Sequence, residues 1–304
     1  MAQSAVSNLE GPAVSESPRP WYLRAFVVVC AWFTALFFLV WIGILFNHSE
    51  EGMAFLGVLL LVGSSLIGRV VKDSDFLDHA NLACALAGRV MVFMGFPGSF
   101  DDLATKAGVM TLAEPLWFAL NPNSTYRFIS ACSAYLFMGL WLDEIEGGAQ
   151  TWLPLVVAGA LVPFVFALRP KWGGDRWDGV WRPLGWASVL VLSLWSVVGG
   201  DWLVAGKSPL DVYAASGMLT LLLLCLVGWL LKDRLGDALV VLPVLIALAW
   251  AMKGNPSVLG GLLLGLVGFR SREHKITAMA AATLLAGVVS YYYRLNETLL
   301  TRFG

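Results

Sequence analysis

The sequence carries few charged residues for its length. Only 13% of its 304 residues are charged, and 58% are hydrophobic. Soluble domains contain about 25% charged and about 45–50% apolar residues. So few charges cannot cover a water-exposed surface, which excludes an ordinary soluble domain. The formal net charge of -1 also offers no basic surface to nucleic acid, so we expect none as a partner.

The sequence also lacks the common catalytic and metal-binding motifs. It contains no phosphate loop, nucleophile elbow or paired-carboxylate site. Its four cysteines lie singly in apolar runs without CxxC spacing, and its three histidines lie far apart. Neither set predicts a metal site. We therefore expect no metal, no cofactor and no catalytic residue of a familiar kind.

Long apolar runs are what the sequence does contain. A helix of about 20 apolar residues crosses the hydrocarbon core of a bilayer. Scanning the chain gives eleven candidate runs, so we predict an all-α, polytopic transmembrane helix bundle of about eleven spans. The runs cover residues 25–46, 53–71, 79–96, 102–120, 123–142, 149–168, 183–200, 212–231, 238–252, 256–269 and 276–293.

The connecting segments divide this bundle. Residues 1–20 are rich in serine and proline and predict a disordered cytoplasmic tail. Residues 169–186 contain tryptophans and arginines and predict an interfacial cytoplasmic loop, either a simple anchored connector or a lipid-specific site. The loop separates a first half of six spans, 21–168, from a second half of five spans, 187–304.

The distribution of lysine and arginine predicts the orientation, because these residues collect in short cytoplasmic loops. With the N-terminus placed inside, fourteen of the 20 basic residues fall on the inner side, four on the outer side and two within runs. Arg127 belongs to the inner group as an anchor. The N-terminus is predicted to be cytoplasmic and the C-terminus to be periplasmic.

The two halves show a weak internal sequence similarity. RPWYLR precedes the first run and WRPLGW the seventh, while VVKDSD follows the second run and LLKDRLGD the eighth. The offset is about 160 residues in both cases. Six spans separate the two segments of each pair, and because six is even the two units would have the same orientation in the membrane. This similarity predicts a parallel pseudo-repeat of six plus five spans.

One carboxylate lies inside the fourth run. Glu114 precedes Pro115 and lies about 18 Å below the outer end of its predicted span. Arg89, near the middle of the third run, is the candidate basic partner, because the short intervening loop predicts that the third and fourth spans are antiparallel neighbours. Three interpretations stay open: a structural ion pair, a carboxylate that carries a proton or cation and is tuned by Arg89, or a boundary error that leaves one of them in water. Lys106 lies about 6 Å from the outer end and can snorkel.

The tenth run contains a small-residue motif. Gly261 and Gly265 form GxxxG, a pattern that lets two helices approach closely. It serves either packing within the chain or dimerisation, and packing within the chain is the simpler interpretation.

The segment at residues 259–300 resembles a bacterial membrane family, domain of unknown function 4401. The resemblance rests on the GF turn with its basic residues and on the segment YYYRLNETLL, which includes Tyr291, Tyr292 and Tyr293. PWYLR near the start and DFLDHANLACALAG at 75–88 fit as well. The resemblance covers the chain from Pro20 onward. This chain departs from the family pattern after TLL, where the family usually continues with a lysine-serine pair and one further span.

The resemblance implies a multi-pass protein of the bacterial inner membrane, without an established reaction. It also implies two neighbour-encoded partners, a second multispanning protein and a protein with a GDYxxLxY motif. The three tyrosines are then candidates for a partner surface. We expect a component of a multi-protein membrane assembly, in contact with membrane lipid. The alternatives are a secondary transporter or proton-coupled permease using Glu114, and a membrane-embedded enzyme.

Overall fold

The fold is built from helices. A computed structural model describes residues 21–46, 49–70, 75–96, 102–121, 123–145, 152–168, 178–204, 209–233, 235–252 and 255–303. These residues form eleven α-helices and no strand, which confirms the all-α prediction. The helices are α1 (Trp21–Phe46), α2 (Glu50–Val70), α3 (Asp75–Met94), α4 (Leu103–Leu120), α5 (Ser124–Ile145), α6 (Leu153–Pro163), α7 (Asp178–Val204), α8 (Pro209–Leu230), α9 (Leu235–Ala251), α10 (Pro256–Ser271) and α11 (His274–Phe303).

The described residues include six helices that are long and apolar enough to cross a membrane, in α2, α3, α5, α7, α8 and α11. Three shorter apolar helices cover Leu153–Ala167, Leu239–Ala251 and Pro256–Ser271. At 1.5 Å per residue, the last of these is about 24 Å long, which is less than the hydrocarbon thickness of about 30 Å. The composition is compatible with a multi-pass membrane protein, while eleven spans stay a prediction.

Polar side chains begin several of these helices. The carboxylate of Asp102 accepts from the Ala104 N–H at 3.3 Å, before α4. The side-chain oxygen of Asn123 accepts from the Thr125 N–H at 2.9 Å. Both residues satisfy N–H groups that have no partner within the first turn of a helix. Such caps place α4 and α5 on either side of a connection of only three residues, 121–123.

The helices group into two units, Met1–Gly95 and Phe96–Gly304. The first contains α1 to α3 and the second α4 to α11. The sequence analysis divided the chain at residues 169–186, and that division stays a prediction. Within the second unit, α7 packs on both α5 and α6, and the Tyr135 hydroxyl of α5 shares a hydrogen bond of 2.8 Å with Ser188 Oγ of α7. In addition, α7 begins at Asp178, so the final nine residues of the predicted loop are helical.

The core of the second unit lies among α6, α7, α8 and α10. Leu192, Leu219 and Leu263 are fully buried in it. Hydroxyl and amide groups add directional contacts between helices: Ser193 bonds to Thr283 of α11. The Asn255 side-chain amide donates to the Gly287 carbonyl at 3.0 Å. In an apolar solvent such contacts and close packing hold helices together, because hydrophobic burial does not.

In the first unit, α2 and α3 approach each other at two glycines. A Cβ atom added at Gly57 would lie 2.7 Å from both the Gly88 carbonyl oxygen and the Val92 nitrogen. One added at Gly88 would lie 2.8 Å from the Gly57 carbonyl oxygen. Because the opposing atoms are backbone, the two helices would have to separate to accept a side chain.

We expect Gly57→Ala to destabilise the protein by about 1–3 kcal/mol, the usual cost of overpacking a close contact. The matched control is Gly63→Ala in the same helix, because a Cβ there meets nothing within 4 Å. That substitution should be neutral or stabilise by about 0.5–1 kcal/mol through the helix preference of alanine. Unfolding midpoints in one detergent test this, and equal midpoints for the two variants would contradict it.

Candidate functional site

Glu114 lies on the buried side of α4. Ala107, Met110 and Glu114 follow helical spacing and are buried, and none of the Glu114 surface is exposed (0%). Leu112 and Leu116 are exposed on the other side of the helix. The carboxylate is therefore part of the packing stripe of α4 and does not face the exposed apolar side.

The register between α4 and α5 shows what lies level with Glu114. A Cβ added at Gly108 would lie 3.0 Å from Nε1 of Trp141, and the chain reverses at residues 121–123. Since both helices advance 1.5 Å per residue, Glu114 lies level with α5 residues near 131–135. Tyr135, whose hydroxyl bonds to Ser188, is buried there. The Glu114 carboxylate therefore lies at about the same level along the helix axes as the buried hydrogen bond between Tyr135 and Ser188.

Pro115 changes the backbone beside Glu114 without ending the helix. Proline has no N–H, so the Thr111 carbonyl has no donor one turn later. The helix nevertheless runs from Leu103 to Leu120. Because positions 111 and 114 are three apart, this carbonyl and the Glu114 side chain lie on adjacent turns.

Arg89 belongs to the first unit and Glu114 to the second, and the predicted ion pair stays a prediction. Arg89 is buried, with 3% of its surface exposed, and its Nη1 donates to the Ala85 carbonyl at 3.2 Å. Lys106 lies half-buried near the start of α4.

Arg127 joins three helices, a role beyond the anchor predicted from sequence. Its Nε donates to the Phe118 carbonyl of α4 at 3.3 Å. Its Nη1 donates to the Gly179 carbonyl of α7 at 2.7 Å. The guanidinium carbon also lies 5.8 Å from the centre of the Phe118 ring, within the range of a cation–π contact. One side chain of α5 therefore fixes the end of α4 and the start of α7.

Proline explains one of these two contacts. Pro183 comes four residues after Gly179 and has no N–H that could reach the Gly179 carbonyl within α7. The Phe118 carbonyl lies in the last turn of α4, where carbonyls have no partner within the helix. The guanidinium of Arg127 donates to both. Pro183 marks the first of these carbonyls in the sequence, but not the residue that binds it.

Each unit contains a cavity among its described residues. One of about 390 Å³ lies among apolar residues of α1, α2 and α3. The other, of about 700 Å³, lies at the first turns of α5, α7 and α11. Glu114 lines neither of them. Among the described residues, no group of three or more His, Cys, Asp or Glu side chains could hold a metal ion.

Comparison with known proteins identifies the family. The family model described as domain of unknown function (DUF4401) matches residues 20–302, almost the whole chain. The chain belongs to the DUF4401 family. The resemblance carried by the GF turn and the YYY segment is thereby confirmed. No curated protein and no solved structure matches the chain.

The glycines of the DUF4401 segment pack against the following helix. A Cβ at Gly261 would lie 2.7 Å from Cγ of Leu284 in α11, and one at Gly268 would lie 2.8 Å from the Thr277 nitrogen. At Gly265 the nearest atom, Cβ of Ala280, would lie at an ordinary 3.8 Å. The small face of α10 is therefore in contact with α11 of the same chain.

The tyrosines of the DUF4401 segment lie on the surface. Tyr291, Tyr292 and Tyr293 expose 41%, 73% and 70% of their surface. They follow one another on α11, at steps of about 100° around the helix. None of the tyrosines lines the cavity at the first turns of α5, α7 and α11, and neither Glu114 nor Lys106 of the same unit lines it.

We expect Arg127→Met to destabilise the protein by about 2–4 kcal/mol, because each hydrogen bond to a charged group contributes about 1.5–3 kcal/mol. Pro183→Ala restores an N–H that can reach the Gly179 carbonyl. Pro183→Ala should therefore lower the free energy of unfolding by about 1 kcal/mol less in the Arg127→Met background than in the wild type. Unfolding in increasing dodecyl sulfate measures both effects. The control is Arg270→Met, which replaces an exposed arginine. If the effects of Arg127→Met and Pro183→Ala on the free energy of unfolding are additive, the explanation is contradicted.

Proposed function

We propose that this DUF4401 chain is an integral component of a multi-protein assembly in a bacterial inner membrane. Its partners would be the two neighbour-encoded proteins that the family resemblance implies. It would cross the membrane eleven times, with a cytoplasmic N-terminus and a periplasmic C-terminus. The observation that carries the proposal is the exposed turn of α11 at residues 288–293.

One face of the first part of α11 packs on its own chain, and the turn at residues 288–293 is largely exposed. Thr277 and Leu284 pack on α10 glycines, and Gly287 accepts the bond from Asn255 at the start of α10. Beyond this point, residues 288–289 and 291–293 are all exposed. Successive residues point in different directions around a helix, so this turn is uncovered on most of its circumference. Lipid covers such a turn only up to the membrane boundary.

The length of α11 supports a contact outside the hydrocarbon. Its 30 residues correspond to about 45 Å, whereas the hydrocarbon core is about 30 Å thick. Aromatic residues such as Tyr292 and Tyr293 favour the membrane–water interface, and they are also enriched in protein interfaces. An exposed aromatic turn that leads into a further helical segment suits the binding of a second membrane protein.

The cavity of about 700 Å³ supports the proposed topology. Residues from the first turns of α5, α7 and α11 line it, so these helices begin on the same side of the unit. Helices that begin on the same side of a membrane are separated by an even number of crossings. The predicted alternation of inside and outside loops has this property for α5, α7 and α11. Arg182 and Lys275 lie at this end, which fits a cytoplasmic side.

The test of assembly is co-expression with both neighbour-encoded proteins, followed by affinity purification and size exclusion in mild detergent. We expect a stable complex that is weakened by the double variant Tyr292→Ala/Tyr293→Ala, because buried aromatic residues dominate interfaces. Leu285→Ala, also exposed on α11, is the control and should leave the complex intact. A chain that always elutes alone contradicts the proposal.

A proton-coupled permease is the second candidate, favoured by the buried Glu114 beside Pro115. Under the assembly proposal, Glu114→Gln keeps the shape of the side chain, so it should leave the complex intact. A permease that uses this carboxylate would lose proton coupling in the same variant. Proton uptake into reconstituted vesicles that contain a pH-sensitive dye separates the two. Flux that is present in the wild type and absent in Glu114→Gln favours the permease.

A further inference from the structure

The cavity at the first turns of α5, α7 and α11 combines positive charge with hydroxyl groups. Its polar lining consists of Ser124, Thr125, Asp178, Arg182 and Lys275. Its volume of about 700 Å³ falls in the usual range for small-molecule sites, about 300–1,000 Å³. We propose that this cavity binds the phosphate headgroup of an anionic phospholipid from the cytoplasmic leaflet.

The lining changes from polar to apolar along the helix axes. Ser124 lies on the first turn of α5, and Phe128 lies about 6 Å deeper. On α7, Asp178 begins the helix and Trp186 lies about 12 Å deeper. All four residues line the cavity. A phospholipid has the same profile, with phosphate at the surface and glycerol and acyl chains below it.

The cations of the cavity are available to a ligand. Arg182 is 61% exposed, and its Nη2 lies 3.7 Å from a carboxylate oxygen of Glu273. An exposed contact of that length contributes little stability, so the guanidinium can turn toward a phosphate. Lys275 is exposed and forms no ion pair within the described part of the chain.

The single carboxylate in the lining does not cancel this charge. Asp178 is the first residue of α7, where a negative charge complements the positive end of the helix. The lining itself holds two cationic side chains and one carboxylate, and Glu273, which contacts Arg182 at 3.7 Å, lies outside it. Basic pockets between helices on the cytoplasmic side suit anionic headgroups.

Native mass spectrometry of the full chain, titrated in micelles with phosphatidylglycerol or phosphatidylcholine, tests this site. We expect one tightly retained phosphatidylglycerol and weaker retention of phosphatidylcholine. The double variant Arg182→Gln/Lys275→Gln should weaken phosphatidylglycerol binding roughly 25-fold, about fivefold for each basic residue. The matched control is Arg270→Gln/Lys232→Gln, which removes one arginine and one lysine that are exposed on the same predicted side. It should change binding less than about twofold.

A second variant separates binding from folding. Ser124→Glu adds a negative charge to the first turn of α5, which favours the helix and opposes a phosphate. Its unfolding midpoint without lipid should be unchanged or higher, while phosphatidylglycerol binding should fall about fivefold. Wild-type binding by this variant, or equal losses in the two double variants, would overturn the proposal. Full displacement of the lipid by inorganic phosphate would instead identify a site for free anions.

Discussion

The guanidinium of Arg127 is the contact on which one end of the second unit depends. It donates to the Phe118 carbonyl in the last turn of α4 and to the Gly179 carbonyl in the first turn of α7. Because Pro183 has no N–H for the Gly179 carbonyl, the side chain from α5 supplies that donor and connects the ends of three helices. Past Pro163, α6 continues as a π-helical segment, and the N–H of Phe164 donates to the carbonyls of Ala160 and Leu161.

Close packing replaces hydrophobic burial as the source of specificity between these helices. In the first unit, α2 and α3 meet through Gly57 and Gly88. In the second unit, α10 and α11 meet through Gly261 and Gly268. Each contact brings a backbone to within a distance that no side chain tolerates, so it fixes which faces meet. Hydroxyl and amide bonds such as Asn255 to Gly287 then fix the position along the helix axis.

The sequence predicted what depends on composition and failed where the result depends on contacts between distant residues. The apolar runs located all eleven helices because each helix needs a continuous apolar segment. The start of α7 was placed too late, because Trp181 and Arg182 look like loop residues when their neighbours are unknown. The role of Arg127 depends on a contact with Gly179, which is 52 residues away in sequence. A pattern of neighbouring residues cannot predict a contact over that separation. Glu114 was recognised as unusual, while its burial in the α4 stripe required the fold.

In the proposed topology, α11 would set the position of the bilayer. Lys275 lies at one end of its apolar stretch and Tyr293 at the other, 18 residues further along, which corresponds to about 27 Å. That distance matches the hydrocarbon thickness. A lysine can reach the headgroups at one boundary, and tyrosine rings favour the other. The polar rim of the cavity near Lys275 and the exposed tyrosine turn would then fall at opposite headgroup layers. Lipid phosphates would be accessible to side chains at the first, and the surfaces of other membrane proteins at the second.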